Sequence, residues 1–299
     1  MTFQLTVEIL NRYRLCANKM EVALGFERPT RLDDALITLG QRECKVIAGG
    51  TDVFPAARQG QVPDGFLDVS RIEGLTDISI HDGVTRIGAA VTWSEIVAAE
   101  LPAAFDGLKQ AAREVGSLQI QNAGTIGGNL CNASPAADGV PPLLTLDAQI
   151  ELASAKRGTR VLPLSRFLLG VRKTALAADE LVTAVLIPSQ PKNMGSAFEK
   201  LGSRRYMVIS IAMTSANIVL DKDDCIAAAS VAVGSCSTVA QRLPALETAL
   251  IGQRLGDIDV TPAHIKDLSP IDDVRGTGAY RLDAVREQCR RAIIRAGTT

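Results

Sequence analysis

"AGTIGGNLCNASPAADG" fills Ala123–Gly139 of a 299-residue chain. Gly127 and Gly128 stand between Thr125-Ile126 and Asn129. An earlier stretch, "VIAGGTDVF" (Val46–Phe54), has the same grammar: a short apolar run, Gly49-Gly50, then a threonine and an aspartate. A diphosphate is a cluster of acceptor oxygens that carries negative charge. Backbone N–H groups in a turn bind such a cluster well where no Cβ prevents close approach. The two glycine pairs offer that bare backbone, Thr51 and Thr125 add hydroxyls, Asn129 adds an amide, and Asp138 can accept from sugar hydroxyls. Two such loops can clamp one dinucleotide from two sides, although either loop alone reads equally well as an ordinary tight turn. Neither is the fingerprint of a doubly wound nucleotide domain. The spacing is not G-x-G-x-x-G, no helix signal follows Gly128, and "GGTD" lacks the lysine of a P-loop.

Around these loops the pattern mixes helices and strands. "RPTRLDDALITLG" reads as a helix with Thr30 as N-cap, an apolar face of Leu32, Ala35, Leu36 and Leu39, and a stop at Gly40. "CKVIAGG" reads as a short buried strand that runs into the first glycine loop. Asp82-Gly83 between alternating residues signals a hairpin. Thr92 with Glu95 forms a capping box, and a further helix ends near Gly116. Residues 146–188 alternate short strands with turns, and Pro188, Pro191 and Gly195 mark a boundary. Beyond it, "VISIAMTSANIVL" and "CIAAASVAVGS" read as paired strands, followed by helices at about 243–252, 262–267 and 278–296. Residues 1–27 carry no clear pattern.

Composition removes several function classes. A formal net charge of −1, with basic residues scattered and no knot larger than a pair such as Arg204-Arg205, gives no footprint for nucleic acid. No apolar run approaches the roughly 20 residues of a spanning helix, and the start lacks a signal-peptide pattern, so a cytoplasmic, non-membrane protein is expected. Cys16, Cys44, Cys131, Cys225, Cys236 and Cys289 are too far apart for a metal or iron–sulfur motif, and are expected to be free thiols. His81 and His264 have no partner at a motif spacing, which leaves a hydrolase triad unsupported. No metal site and no catalytic acid or base are assigned to this chain.

In order and spacing, "FERPTRLDDALITL", "KVIAGGTDVFPAARQG", "LTDISIHDGVTRIGAAVTWSEI", "QIQNAGTIGGNLCNASPAADGVPPLLTLDAQIEL" and "GSAFEKLGSRR" resemble the FAD-binding medium subunit of the molybdenum hydroxylases. That family includes xanthine dehydrogenases, carbon-monoxide dehydrogenase and 4-hydroxybenzoyl-CoA reductase. The resemblance runs from about residue 26 to the end and implies an α+β fold. A vanillyl-alcohol-oxidase (PCMH)-type FAD-binding domain of two α+β subdomains, about 26–80 and 81–190, would be followed by a C-terminal α+β domain over 195–299. Residues 1–25 would be an extension that does not match the family's usual start.

The resemblance also implies site residues. Ala48, Gly49, Gly50, Thr51, Asp52 and Val53 would wrap the FAD pyrophosphate, and Thr125, Ile126, Gly127, Gly128 and Asn129 would form the opposing loop. Asp138 matches an aspartate that contacts FAD, Val182 an aliphatic residue beside the flavin, and Lys200 a lysine near the isoalloxazine, where a cation favours the anionic reduced form. Val115 falls where some relatives stack an aromatic on the adenine, which valine cannot do. The implied role is electron transfer within a complex with a small subunit carrying two-iron two-sulfur clusters and a large molybdopterin subunit, as a heterotrimer or a dimer of heterotrimers. Electrons would reach FAD here and pass to NAD+, dioxygen or another acceptor. Two alternatives stand beside this reading: a stand-alone FAD oxidoreductase, against which the scarcity of His and Tyr speaks, and a scaffold subunit without FAD, against which the intact glycine loops speak.

Overall fold

The computed structural model describes residues 25–58, 65–205 and 207–298; Cys16 and the pattern-free start before Gly25 lie outside them. The chain opens with β1 (Gly25–Glu27), α1 (Leu32–Gln41), β2 (Lys45–Ile47), α2 (Val53–Arg58) and β3 (Gly65–Asp68). The three strands form a parallel sheet in the order β1-β3-β2. Ala35, Leu36 and Leu39 of α1 are buried together with Leu67, Ile72 and Leu75, so the predicted apolar face is the one that packs. Its ends differ from expectation. The N-cap is Arg31, one residue after Thr30, with no side-chain cap, and the carbonyl of Thr30 accepts from Glu73 N at 3.0 Å; the helix also runs through Gly40 to Gln41.

A second, five-stranded antiparallel sheet follows in the order β4-β5-β10-β6-β7. It is built from β4 (Ile78–His81), β5 (Val84–Gly88), β6 (Gln149–Ser154), β7 (Gly158–Pro163) and β10 (Leu181–Ile187), with the small hairpin β8 (Leu168–Gly170) and β9 (Lys173–Thr174) beside it. Asp82 and Gly83 both take positive φ (51° and 79°), as a two-residue hairpin requires. Between β5 and β6 lie α3 (Trp93–Ala98), α4 (Asp106–Glu114), α5 (Leu118–Ala123), α6 (Ile126–Asn132) and α7 (Val140–Thr145). The capping box of Thr92 and Glu95 is present at the start of α3. Trp93 is only 1% exposed and packs in one core with Ile87, Ile126, Leu130 and Val185, tying these helices to the sheet.

The rest of the described chain is a four-stranded antiparallel sheet, β11 (Met194–Leu201), β12 (Ala212–Leu220), β13 (Ile226–Gly234) and β14 (Gln241–Arg242), in sequence order. Its core is shared with the helix Pro244–Leu250 and with the long helix Gly278–Gly297; the single turn Leu164–Phe167 belongs to the preceding part. The segment expected as a helix near 262–267 is a short 3-10 turn, Pro262–Ile265, in which His264 Nδ1 accepts from Thr261 N at 3.2 Å. That places His264 in local structure rather than in chemistry. Among the described residues no helix is long and apolar enough to cross a membrane, and no group of three or more His, Cys, Asp or Glu is placed to hold a metal ion.

Candidate cofactor cleft

The two glycine loops meet. A Cβ on Gly49 would lie 1.7 Å from the carbonyl oxygen of Ala123, so that position needs the bare backbone for the loops to touch. Gly50 has φ +69°, in the left-handed region that glycine enters without penalty, and the Phe54 ring lies against it. Between the loops runs a cleft of about 370 Å³, within the size range of small-molecule sites. Ala48, Gly49, Gly50, Thr51, Asp52 and Val53 line one side, and Thr125, Gly128 and Asn129 line the other.

The two sides use their backbone differently. On the first, the N–H groups of Gly49, Gly50, Thr51 and Asp52 have no acceptor among the described residues. They form a row of donors free to meet an anion. On the second, the N–H groups from Ile126 to Asn129 are already engaged. Ile126 N donates to Val91 O (3.0 Å), Gly127 N to Ala89 O (2.9 Å), Gly128 N to Thr125 Oγ1 (3.1 Å) and Asn129 N to Thr125 O (3.0 Å). The expectation of a second free-amide loop is therefore corrected: Thr125 is the N-cap of α6, and both glycines lie in that helix's first turn. A Cβ on Gly127 would lie 2.6 Å from Ala89 O, so this glycine lets the helix seat on the sheet. Ala89 N in turn donates to Thr183 O, at the irregularity where β10 shifts register on β6. What the second side offers a ligand is side chains. Asn129 Oδ1 is buried with no partner among the described residues, an acceptor waiting for a hydroxyl or N–H.

Five expected residues lie off the cleft lining. Ile126 and Gly127 are buried beneath it. Val182 is 7% exposed, in the core with Ile126 and Trp93. Asp138 and Lys200 pair with each other: Lys200 Nζ is 2.7 Å from Asp138 Oδ2, with both side chains under 10% exposed (6% and 9%). Lys200 Nζ also donates to Glu114 O (3.0 Å), and Ser210 Oγ donates to Asp138 Oδ1 (2.6 Å). Burial pushes the Asp138 carboxyl up, against the pull of Lys200 and Ser210. Both Asp138 oxygens are thus engaged within the protein, and the lysine's charge is offset by its partner. The pair joins the helical layer to β11 and fixes the third sheet against the cleft-bearing part.

Other lining residues carry no motif. Val115 lines the cleft, as do Lys45, Asn132 and Arg172. Asn132 falls one helical turn after Gly128, a spacing visible once α6 is known. Arg172 comes from the β8–β9 turn, 40 residues from Asn132, and no local signal marks it.

The cleft thus has free backbone donors and a buried unpaired acceptor, with glycine where the chain must come close. That donor set suits a dinucleotide: N–H groups for the diphosphate, Asn129 for a sugar or ribityl hydroxyl.

Comparison with known proteins agrees with this chemistry. A family model described as "FAD binding domain in molybdopterin dehydrogenase" matches residues 19–190, and one described as "CO dehydrogenase flavoprotein C-terminal domain" matches residues 196–296. The chain is similar to the nicotine 6-hydroxylase medium subunit of Paenarthrobacter nicotinovorans, 33% identical over 282 residues, covering 92% of this chain and 98% of that one. It is similar to caffeine dehydrogenase subunit beta of Pseudomonas sp. (strain CBB1), 29% identical over 284 residues, covering 92% and 95%. Among solved structures, reconstituted CO dehydrogenase from Oligotropha carboxidovorans matches with TM-score 0.84 at 25% identity, over 92% of this chain and 98% of that chain.

Proposed function

The chain belongs to the molybdenum hydroxylase family as its FAD-binding medium subunit, an oxidoreductase subunit, and we propose that it is the electron-exit module of a three-chain complex. Its partners in this reading are a small subunit with two-iron two-sulfur clusters and a large molybdopterin subunit, assembled once or twice in the cytoplasm. Residues 26–190 form the FAD-binding domain, with subdomains of about 26–80 and 81–190, and residues 195–299 form the C-terminal domain. Bound FAD supplies the redox chemistry; the protein supplies binding, orientation and electrostatics.

The observation that carries the reading is the row of unpartnered N–H groups from Gly49 to Asp52 facing a cleft with an N-capped helix opposite. In it, these amides donate to the diphosphate, Thr51 and Thr125 contribute hydroxyls, and Asn129 accepts from a hydroxyl. Ile126 and Gly127 hold the helix on the sheet. Val182 packs behind the cofactor, and the Asp138–Lys200 pair fixes the neighbouring sheet at the flavin end. The acceptor has a candidate place as well. A cavity of about 250 Å³ is lined by Ser134, Ser235, Ser237, Arg275 and Arg281. Ser235 Oγ and Arg281 Nε are buried there with no partner among the described residues. Arg275 Nη1 donates to Ser210 O at 3.4 Å, one residue contact from Asp138. Both guanidinium groups pair with Asp273, at 2.5 and 2.7 Å, so the groups left for an acceptor are the Ser235 hydroxyl and Arg281 Nε, which suit a polar acceptor such as NAD+ better than dioxygen.

The test is to express the chain, denature it, and identify released small molecules by chromatography and mass spectrometry. FAD is expected. A folded chain that releases no flavin, and takes up none on titration either alone or with its partner chains, overturns the reading.

A further inference from the structure

Asp52 is out of place in a diphosphate site. It lines the cleft in the same loop as the free amides, and a carboxylate there repels the ligand those amides attract. The structure shows where it is tied. Asn132 Nδ2 donates to Asp52 Oδ1 at 2.9 Å. The other end of the same amide, Asn132 Oδ1, accepts from Arg172 Nη1, which also donates to Asn132 O at 3.2 Å. Arg172 N donates to Ala133 O at 2.9 Å, so guanidinium and backbone grip the end of α6 together. Ala133 and Arg172 both hold positive φ (44° and 57°), uncommon for residues with a side chain. Such positions persist where the surroundings over-determine them. The amide of Asn132 is read unambiguously by its partners: oxygen to the cation, nitrogen to the anion.

We propose that Arg172 is a positioning residue of the cofactor cleft: acting through Asn132, it keeps the Asp52 carboxylate committed to that amide and offsets its charge, so that the loop's N–H groups can take a diphosphate. The proposal rests on the reading that this cleft holds FAD. It makes Asp52 a strut between the first loop and α6, and it makes the β8–β9 turn part of the cofactor site. A positioning role of this kind has a signature that direct contact lacks. Removing the arginine exposes a carboxylate, and removing that carboxylate's charge as well undoes the harm.

The experiment measures FAD affinity by flavin fluorescence for the full chain, assembled with its partner subunits, stripped of cofactor and checked as folded by thermal melting. Arg172→Gln is expected to weaken FAD about tenfold, the scale of a lost hydrogen bond to a charged group. Arg172→Lys, which keeps the charge, is expected to retain most of the affinity. The double variant Arg172→Gln with Asp52→Asn is expected to recover most of what Arg172→Gln loses. A double variant as weak as Arg172→Gln alone overturns the proposal in favour of direct contact with the cofactor, and wild-type affinity in Arg172→Gln overturns any role. Wild-type protein that takes up no FAD overturns instead the reading on which the proposal rests.

Discussion

The two glycine loops are alike in sequence and opposite in use. Gly49-Gly50 lines a cleft and keeps its N–H groups free of acceptors among the described residues; Gly127-Gly128 spends its N–H groups on the protein. In both, a glycine allows something to come close. For Gly49 the neighbour is the other loop, and for Gly127 it is the sheet beneath. A glycine pair therefore reports close approach, but only the destination of its amides tells whether the visitor is a ligand or the protein itself. In the proposed function the first loop is the binding surface and the second a seat, with Thr125 and Asn129 as its side-chain groups at the cleft.

Substitutions at the glycines test this division, and the largest effect is expected where the loops touch. In Gly49→Ala the new Cβ meets a backbone carbonyl, Ala123 O, which cannot swing aside as a side chain would. The loops must part, with a loss of stability at the upper end of the roughly 1–3 kcal/mol typical of overpacking, and with no retained FAD. Denaturant midpoints and flavin content read both quantities; wild-type flavin content would show that the loops do not meet in this way. Gly127→Ala comes next. It is expected to cost about 1–3 kcal/mol in the cofactor-free protein through its contact with Ala89, while FAD affinity of the folded fraction changes little. Gly50→Ala should show the reverse weighting. The left-handed position costs about 1 kcal/mol of stability, and FAD affinity falls by about tenfold as the loop relaxes and its amides turn. If Gly127→Ala lowers affinity more than Gly50→Ala does, the assignment of binding surface and seat is inverted.

The apolar face of α1, the Asp82-Gly83 hairpin and the Thr92–Glu95 capping box were readable because each depends on residues within a few positions of one another. The helix that begins at Ile126 has no local signal, because two glycines in its first turn are poor helix formers and that turn is held by the carbonyls of Val91 and Ala89, in the segment between β5 and α3. The helix starts one residue later than the Thr30 pattern predicts, and Thr30 instead meets Glu73, 43 residues on, through its carbonyl, a contact no local pattern announces. The same holds at the site. The cleft-lining residues Ala48 to Val53 form one contiguous stretch, while Asn132 and Arg172 reach the cleft through tertiary structure alone. Asp138 and Lys200 were matched one at a time to flavin contacts; that they pair with each other, 62 residues apart, is a fact of packing.

Thr125 sharpens the comparison most, because it belongs to both uses. Its Oγ1 accepts from Gly128 N as the cap of α6, and among the described residues its own hydroxyl hydrogen has no acceptor. A hydroxyl can do both at once, accepting through a lone pair and donating its proton. Thr125→Ala removes the cap, worth about 1 kcal/mol, which in a chain of this size lowers the melting temperature by about 2 °C. If the hydroxyl also donates into the cleft, FAD affinity falls by a further factor of about five, the scale of one neutral hydrogen bond. Thr125→Ser, which keeps the hydroxyl, restores both quantities; Thr125→Val, which keeps the shape, restores neither. Loss of melting temperature with unchanged affinity would put Thr125 wholly on the seat side and leave Asn129 to carry the second loop's share of the cofactor. Loss of both would make this one hydroxyl the point where a structural cap is also a ligand contact.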